Sequence, residues 1–473
     1  MKRSWSGWLA FVSLTVVTLS GVLAARPRYG GMVRVELQST LRTADPADWP
    51  ADATQAAVKA QVLRLIFDTL VGLDQAGRAQ PRLATSWHAD PSGRRWEFRL
   101  RPAVRLHDGS QLDAGQVAAA LHRANPAWSV TGDGGNLAVE SPSPVPDLLW
   151  ELADARNVIA VPAGPAVLGT GPFRVERWEA GRQILLRAHD LCWEGRPFLD
   201  AVQIDLGRTA RDQLADLELG HADIVSVLPQ DVRRLSQRGL RVVTATPPDL
   251  IALVVDPSQP AASDDARRAL AMSVDRESIC SVLLQRQAEP ARALLPQSSS
   301  GYAFLFAREE DRAQARSMGR SLPIGSRTWA LQFDTADPVL QAVAERIVVD
   351  ARDAGLTLSL AAQRAGAVAP AVRLLRVPLS PDTPDRVMAR VAGVVRLAVP
   401  AALPDEPVPS SGAGLEALYR YEQSIVGRHT VVPLVHLSRL FGVSARVASW
   451  HGPFVLGSGG WNLADAWLRG DRP

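Results

Sequence analysis

Lysine is almost missing from this chain of 473 residues: Lys2 and Lys59 are the only two, and arginine carries the rest of the positive charge. Lys+Arg number 52 against 49 Asp+Glu, a formal charge of +3. A nucleic-acid binder gathers its basic side chains into a patch. Here Arg308 and Arg312 flank Glu309, Glu310 and Asp311, and Glu345 to Arg352 is equally mixed. Nucleic acid is therefore not expected as a partner, and the Arg-rich, Ala-, Val-, Leu- and Pro-rich usage reads as GC-rich codon bias. Cysteine is equally scarce. Cys192 and Cys280 alone cannot make a disulfide framework or a cysteine metal site. The histidines do not cluster: His429 and His436 are seven apart, where a helical zinc pair needs a spacing of four. There is no Gly-x-Ser-x-Gly elbow and no phosphate loop ending in Gly-Lys. Catalytic residues, metals and cofactors are accordingly all expected to be none. With 47% hydrophobic and 21% charged residues, the chain is of ordinary globular composition and long enough for two or three domains.

Long uncharged apolar runs are absent too, except one. Lys2 and Arg3 precede the stretch Trp8 to Ala25, which ends in Leu23-Ala24-Ala25 before Arg26-Pro27. That pattern predicts a secretory signal peptide over 1–25, cut near Ala24 or Ala25, and hence a periplasmic or extracellular location. The alternative is an uncleaved anchor, since the stretch is just long enough to span a bilayer. No cysteine follows it, so no lipid is attached there.

The remainder alternates α and β patterns. Gly31 to Leu37 predicts a strand, and residues 54–70 predict a helix with Val58, Val62, Leu65, Ile66 and Leu70 on one side. Asp90-Pro91-Ser92-Gly93 predicts a turn into a strand that alternates Trp96, Phe98 and Leu100 with charged residues. Asp113 and Gln116 form a reciprocal cap for a helix over 114–124, so His107-Asp108 reads as the turn before it and not as a base with its acid. Residues 125–146 read as loop with one short strand, and 172–187 as a hairpin turning at Gly181. Trp329, Leu331 and Phe333, then Leu340, Val343, Ile347 and Ala351, then Leu356, Leu358 and Leu360 spell a strand–helix–strand unit, with Gly355 ending the helix. Residues 361–371 and 399–414 read as linkers or long loops.

Three segments carry a resemblance. The first runs from Leu70-Val71-Gly72-Leu73-Asp74 through Pro81-Arg82-Leu83-Ala84-Thr85-Ser86-Trp87 and Trp96-Glu97-Phe98-Arg99-Leu100-Arg101. It continues with Leu106-His107-Asp108-Gly109-Ser110 and ends at Leu112-Asp113-Ala114. The second is Gly169-Thr170-Gly171-Pro172-Phe173, followed by Trp193-Glu194-Gly195-Arg196-Pro197-Phe198-Leu199-Asp200. The third is Arg267-Arg268-Ala269-Leu270-Ala271 with Val274-Asp275-Arg276-Glu277-Ser278-Ile279. In this order they resemble the bacterial extracellular solute-binding proteins of family 5, the binding components of ABC importers for oligopeptides, dipeptides, nickel chelates and some sugars. The match is strong to about residue 302 and weak after 361. Physically, the motifs are mostly scaffold. Asp113 and Asp275 sit at helix starts, Gly109, Gly169, Gly171 and Gly195 sit at turns needing unusual backbone angles, and Trp87, Trp96 and Trp193 read as core fillers.

The resemblance implies a two-lobed α/β fold of the periplasmic-binding-protein type II class, with an extra inserted domain and a hinge of crossing strands. Residues 30–53, 158–254 and 446–473 would form the central domain, 54–157 the insert, and 255–445 the opposing lobe. Cys192 and Cys280 would then lie in different lobes as free, buried thiols. The partners implied are a small-molecule or peptide ligand and a membrane ABC permease, with the chain itself a monomer. Ligand contacts are expected, by position, at Asp45, Pro46, Gly169, Thr170, Trp329, Arg376, Ser380 and Asp382. One departure stands out. Peptide-binding members read Asp-Tyr-x-Asp-Pro-Asp in the second lobe, the first Asp gripping the peptide amine; here the stretch is Ser380-Pro381-Asp382-Thr383-Pro384-Asp385. A hydroxyl cannot replace a carboxylate beside a buried cation, so the ligand lacks an amine, or Asp382 or another group holds it. Two other functions are compatible with the same lobes: a secreted or anchored sensor, and, less readily, a secreted hydrolase.

Overall fold

The computed structural model describes residues 27–50, 53–74, 77–164, 166–259, 261–307, 310–362, 371–379, 382–450, 452 and 461–469. The apolar N-terminal segment and Ser380 lie outside these. Among the described residues, no helix is long and apolar enough to cross a membrane.

One mixed sheet of eleven strands organises the described chain. Along it lie Phe173–Glu179, Gln183–Ala188, Ala201–Asp205, Met32–Glu36, Ile224–Val227, Val431–Val443, Arg241–Val255, Val372–Pro378, Thr328–Phe333 and Thr357–Ala362; Ala288–Pro290 pairs beside Val431–Val443. The two long strands at its middle join the lobes. Residues 241–245 pair with 439–443 in one lobe, and 249–254 with 431–437 in the other. The ladder breaks between Ala245 and Asp249, at Thr246-Pro247-Pro248, where two prolines have no N–H to give. Beyond the break every side chain of the strand is buried: Leu250, Ala252 and Val254 enter the core on one face, and Ile251, Leu253 and Val255 the core on the other. A strand covered on both faces reads as a continuous apolar run, not as an alternation.

The other lobe packs around Val33, Val35, Val202, Ile204, Phe441 and Trp450. A separate cluster around Leu70, Phe98, Val117, Leu121, Leu137 and Leu152 forms where helices Ala114–Ala124 and Leu148–Ala153 pack against a four-stranded antiparallel sheet, Ala84–Ala89, Arg95–Leu100, Asn136–Glu140 and Ser129–Asp133. The strand–helix–strand unit is present as Thr328–Phe333, Pro338–Asp353 and Thr357–Ala362, its strands parallel, with Gly355 at φ +82 just after the helix. Both Asp113 and Asp275 cap their helices, and Asp113 with Gln116 completes the reciprocal pair. Both thiols are buried and free, and burial pushes Cys192 up to about 11 and Cys280 up to about 12.

Three expectations need correction. The helix predicted over 54–70 is Ala53–Ile66; it stops where the Gly171 N–H donates to the Ile66 carbonyl at 3.0 Å, freeing Asp68 for a buried cluster. Residues 125–146 hold two strands, not one, hairpinned at Gly134-Gly135. Gly109 and Gly195 do take positive φ, but Gly169 and Gly171 do not. These two are glycine because a Cβ at either would run into the Ile66 backbone.

Candidate ligand cleft

A cavity of about 760 Å³ opens between the lobes. One wall comes from Trp49, Ala56, Ala57, Ala60 and Arg64 with Leu73, Asp147, Trp150 and Ala153 to Arg156. The other comes from Pro378, Leu379, Asp382, Asp385, Arg386, Ala389, Arg390, Gly393 and Val394 with Val408, Pro409, Ser410 and Arg439. Its described lining holds no histidine and no cysteine, and Ser410 is its one hydroxyl side chain.

Each wall is fixed by identifiable bonds. Lys59, on helix Ala53–Ile66, is buried and donates its ammonium to the Asp45 carbonyl at 2.8 Å and to the Asp48 carbonyl. Those two bonds tie the loop after the first strand to the helix and set Trp49 at the rim. Burial lowers the Lys59 pKa. Arg64, one turn further on, donates to the Ala153 carbonyl at 2.6 Å, and burial brings its pKa down to about 10. Across the cleft, helix Pro384–Ala398 begins with the proline favoured at a first helical position and carries Asp385, Arg386, Ala389 and Arg390 into the cavity. Arg386 reaches the facing wall: it donates to the Asp147 carbonyl at 3.2 Å, lies 3.8 Å from the Asp147 carboxylate and sits 5.9 Å over the Trp150 ring. Trp150 is itself held by its indole N–H on the Gly77 carbonyl, 2.8 Å away.

At the strand crossing lies a buried charge cluster. Arg376 donates to Asp249 at 2.8 Å and to Asp337 at 3.0 Å, and Arg439 stands 3.2 Å from Asp249. Burial opposes the charge of Arg376, yet Asp249 and Asp337 outweigh it and raise its pKa; burial lowers that of Arg439. Two cations and two anions cancel here, as a poorly solvated group of charges must.

The expected contacts fall in different places. Asp382 lines the cavity; burial raises its carboxyl pKa, and the nearest guanidinium in an ion pair is Arg390, at 3.9 Å. Arg376 lies beneath the cavity in the charge cluster. Asp45 is an exposed loop residue whose carboxylate accepts from the Ala47 N–H at 2.9 Å, with half-buried Pro46 beside it. Gly169 packs on Ile66. Thr170 is fully buried and donates to Asp68 at 2.8 Å. Trp329 is buried in the core formed with Val343 and Ile347. Of these, only Asp382 borders the described cavity. Ser380 lies outside the described residues. Asp68, which also receives the Trp193 indole and Arg82, makes the Gly169-Thr170-Gly171 motif a knot of scaffold. His107, stacked edge-on against His189 at 5.0 Å, is pushed down to about 4 by burial and by that neighbour, and so stays neutral. Reading the sequence missed Arg64, Trp150 and Arg386. For Arg64 a signal existed: with Lys59 it is one of the two charges on an otherwise uncharged helix.

The chain belongs to the bacterial extracellular solute-binding proteins, family 5, whose pattern it matches over residues 78–385. It is similar to the nickel-binding protein NikA of Staphylococcus aureus, 23% identical over 261 residues, 50% of this chain and 51% of that protein. It is also similar to the peptide transport periplasmic protein SapA of Salmonella typhimurium, 23% identical over 54% of this chain and 55% of that one, and to the glutathione-binding protein GsiB of Salmonella paratyphi A, 24% identical over 75% of each. The matches thus span about half the length of the first two relatives. Among solved structures, NikA from Brucella suis in complex with Fe(III)-EDTA has the same fold, with TM-score 0.80 at 16% identity over 93% of this chain and 100% of that one. So does the oligopeptide-binding protein AppA of Bacillus subtilis in complex with a nonapeptide, with TM-score 0.67 at 16% identity over 94% and 100%. The two-lobed mixed α/β fold is that of these substrate-binding proteins.

Proposed function

We propose that this chain is the extracytoplasmic solute-binding component of an ABC importer. It closes its lobes on a small, peptide-like or other solute, releases it unchanged to a membrane permease and works as a monomer outside the cytoplasmic membrane. The observation that carries this reading is the cavity itself: about 760 Å³ lies within the size range of small-molecule sites, and its walls come from both sides of the strand crossing. Residues 30–53, 158–245 and 439–473 act as the central domain, 54–157 as the insert and 249–437 as the moving lobe, with Thr246-Pro247-Pro248 in the hinge; the bounds expected at 254 and 445 shift because 249–254 share the opposing lobe's cores and Phe441 and Val443 share the central one. Solute then shifts the population from open to closed. Family membership and relatives named for nickel, peptide and glutathione binding favour a transport ligand over a reaction substrate.

The test is native mass spectrometry of the purified protein with small-angle scattering before and after ligand removal. A co-purifying small molecule whose removal expands the particle is expected. Chemical turnover of that molecule, or an unchanged radius with no molecule bound, overturns the reading.

A further inference from the structure

Five arginines and four aspartates line the cavity, and their pairing is uneven. Arg156 has Asp154 at 3.1 Å, Arg386 has Asp147 at 3.8 Å, Arg390 has Asp382 at 3.9 Å and Arg439 has Asp249 at 3.2 Å. Arg64 is different. Among the described residues no carboxylate lies within ion-pair reach of it, and its one hydrogen bond goes to the Ala153 carbonyl. A guanidinium carries five N–H donors in a planar fork, so most of its donors are left without a protein acceptor. On the facing wall the complementary surplus appears: Asp385, in the first turn of helix Pro384–Ala398, has no hydrogen-bond or ion-pair partner among the described residues. The two leftover charges are opposite in sign and lie on opposite lobes.

We propose that Arg64 binds an anionic group of the solute, a carboxylate presented toward helix Ala53–Ile66, and so selects ligands bearing such a group. This rests on the importer reading of the same cavity. A part-buried guanidinium with no carboxylate in ion-pair reach, only the more distant fields of Asp154 and Asp68, is poorly compensated, and a carboxylate arriving with the ligand supplies two acceptors that match the fork. Closure then brings the anion to Arg64 while the ligand's far end meets the Asp382 and Asp385 wall. A single charge-assisted contact of this kind corresponds to about ten- to hundredfold in affinity.

The plain alternative is that Arg64 only pins the Ala153 carbonyl at the end of helix Leu148–Ala153, where a cation is favourable in any case. Titration calorimetry separates the two. The probes are trialanine and trialanine amide, and the proteins are the ligand-stripped full chain and its Arg64→Gln and Arg64→Lys variants, with thermal unfolding as the check on folding. The wild type should bind the acid at least tenfold more tightly than the amide. Arg64→Gln should erase that difference by weakening the acid alone, and Arg64→Lys should restore part of it. Three results overturn the proposal: equal binding of both probes by the wild type, no binding of either, or an Arg64→Gln variant that weakens acid and amide alike. The importer reading is judged separately, by whether any co-purified solute closes the lobes; such a solute without an anionic group sinks the role of Arg64 and leaves that reading standing.

Discussion

Arg376 donates its Nε–H to Asp249 across 2.8 Å at the point where the lobe-joining strands cross. Asp249 follows the proline break directly, so this bond anchors the first paired residue of the second lobe. Removing Arg376 would leave Asp249 and Asp337 with less compensation in a buried setting. Truncating one member of a buried pair typically costs 3–5 kcal/mol; Arg376 retains 25% side-chain exposure, which lowers the expectation to about 2–3 kcal/mol. Urea unfolding of Arg376→Met should show it. The double variant Arg376→Met with Asp249→Asn should be less destabilised than the sum of the single ones, because the stranded charge is gone.

In the proposed binding cycle, Arg386 would contribute to closure instead of folding. Its contacts to Asp147 and Trp150 bridge the two walls of the cleft, and the side chains of its ion pair with Asp147 are 23% and 26% exposed. A cation–π contact and a partly exposed ion pair together are worth about 1 kcal/mol, about a fivefold shift toward the open form. Arg386→Ala should therefore leave the melting temperature of the ligand-free protein within about 2 °C. It should speed solute release several-fold, as stopped-flow fluorescence would record.

Glu422 predicts an unusual pH profile. It is fully buried, accepts from the Leu294 and Leu295 N–H groups and from the Tyr302 hydroxyl at 2.8 Å, and burial raises its pKa to about 7. A raised carboxyl pKa means that the folded chain holds a proton which the unfolded chain, near 4.5, has already lost. This contribution is full below about 4.5 and is lost as pH climbs toward about 7, by about 3 kcal/mol in all. Denaturant melts across that range should show Glu422→Gln with a flatter decline than the wild type.

Gly169 tests the close approach to Ile66. Gly169→Ala puts a methyl group into the Ile66 carbonyl, backbone that cannot swing aside, and overpacking of this kind costs about 3 kcal/mol. Gly109→Ala has open space instead and a positive φ, so its cost is backbone strain alone, about 1 kcal/mol. Thermal unfolding should rank the two in that order.

What could be read from the sequence was what is decided locally. The Asp113–Gln116 cap, the turn at Asp90 and the alternation through Trp96, Phe98 and Leu100 are settled within a few residues, and each formed where its pattern placed it. The end of the first helix was not legible, because the group that stops it, the Gly171 N–H, is a hundred positions away. The hairpin at Gly134-Gly135 was hidden by its Gly- and Ser-rich neighbourhood. The cleft follows the same logic. Asp382 was reachable through a family motif, whereas Arg64, Trp150 and Arg386 acquire meaning only when helix, insert and opposing lobe are packed together.

The break at Thr246-Pro247-Pro248 has a mechanical consequence. Because no ladder rung exists there, the proposed swing of one lobe against the other would break no strand pairing at the bend. Under the proposed cycle, capture and discharge would bend only this short stretch of backbone and leave the packing inside each body as firm at the end as at the start.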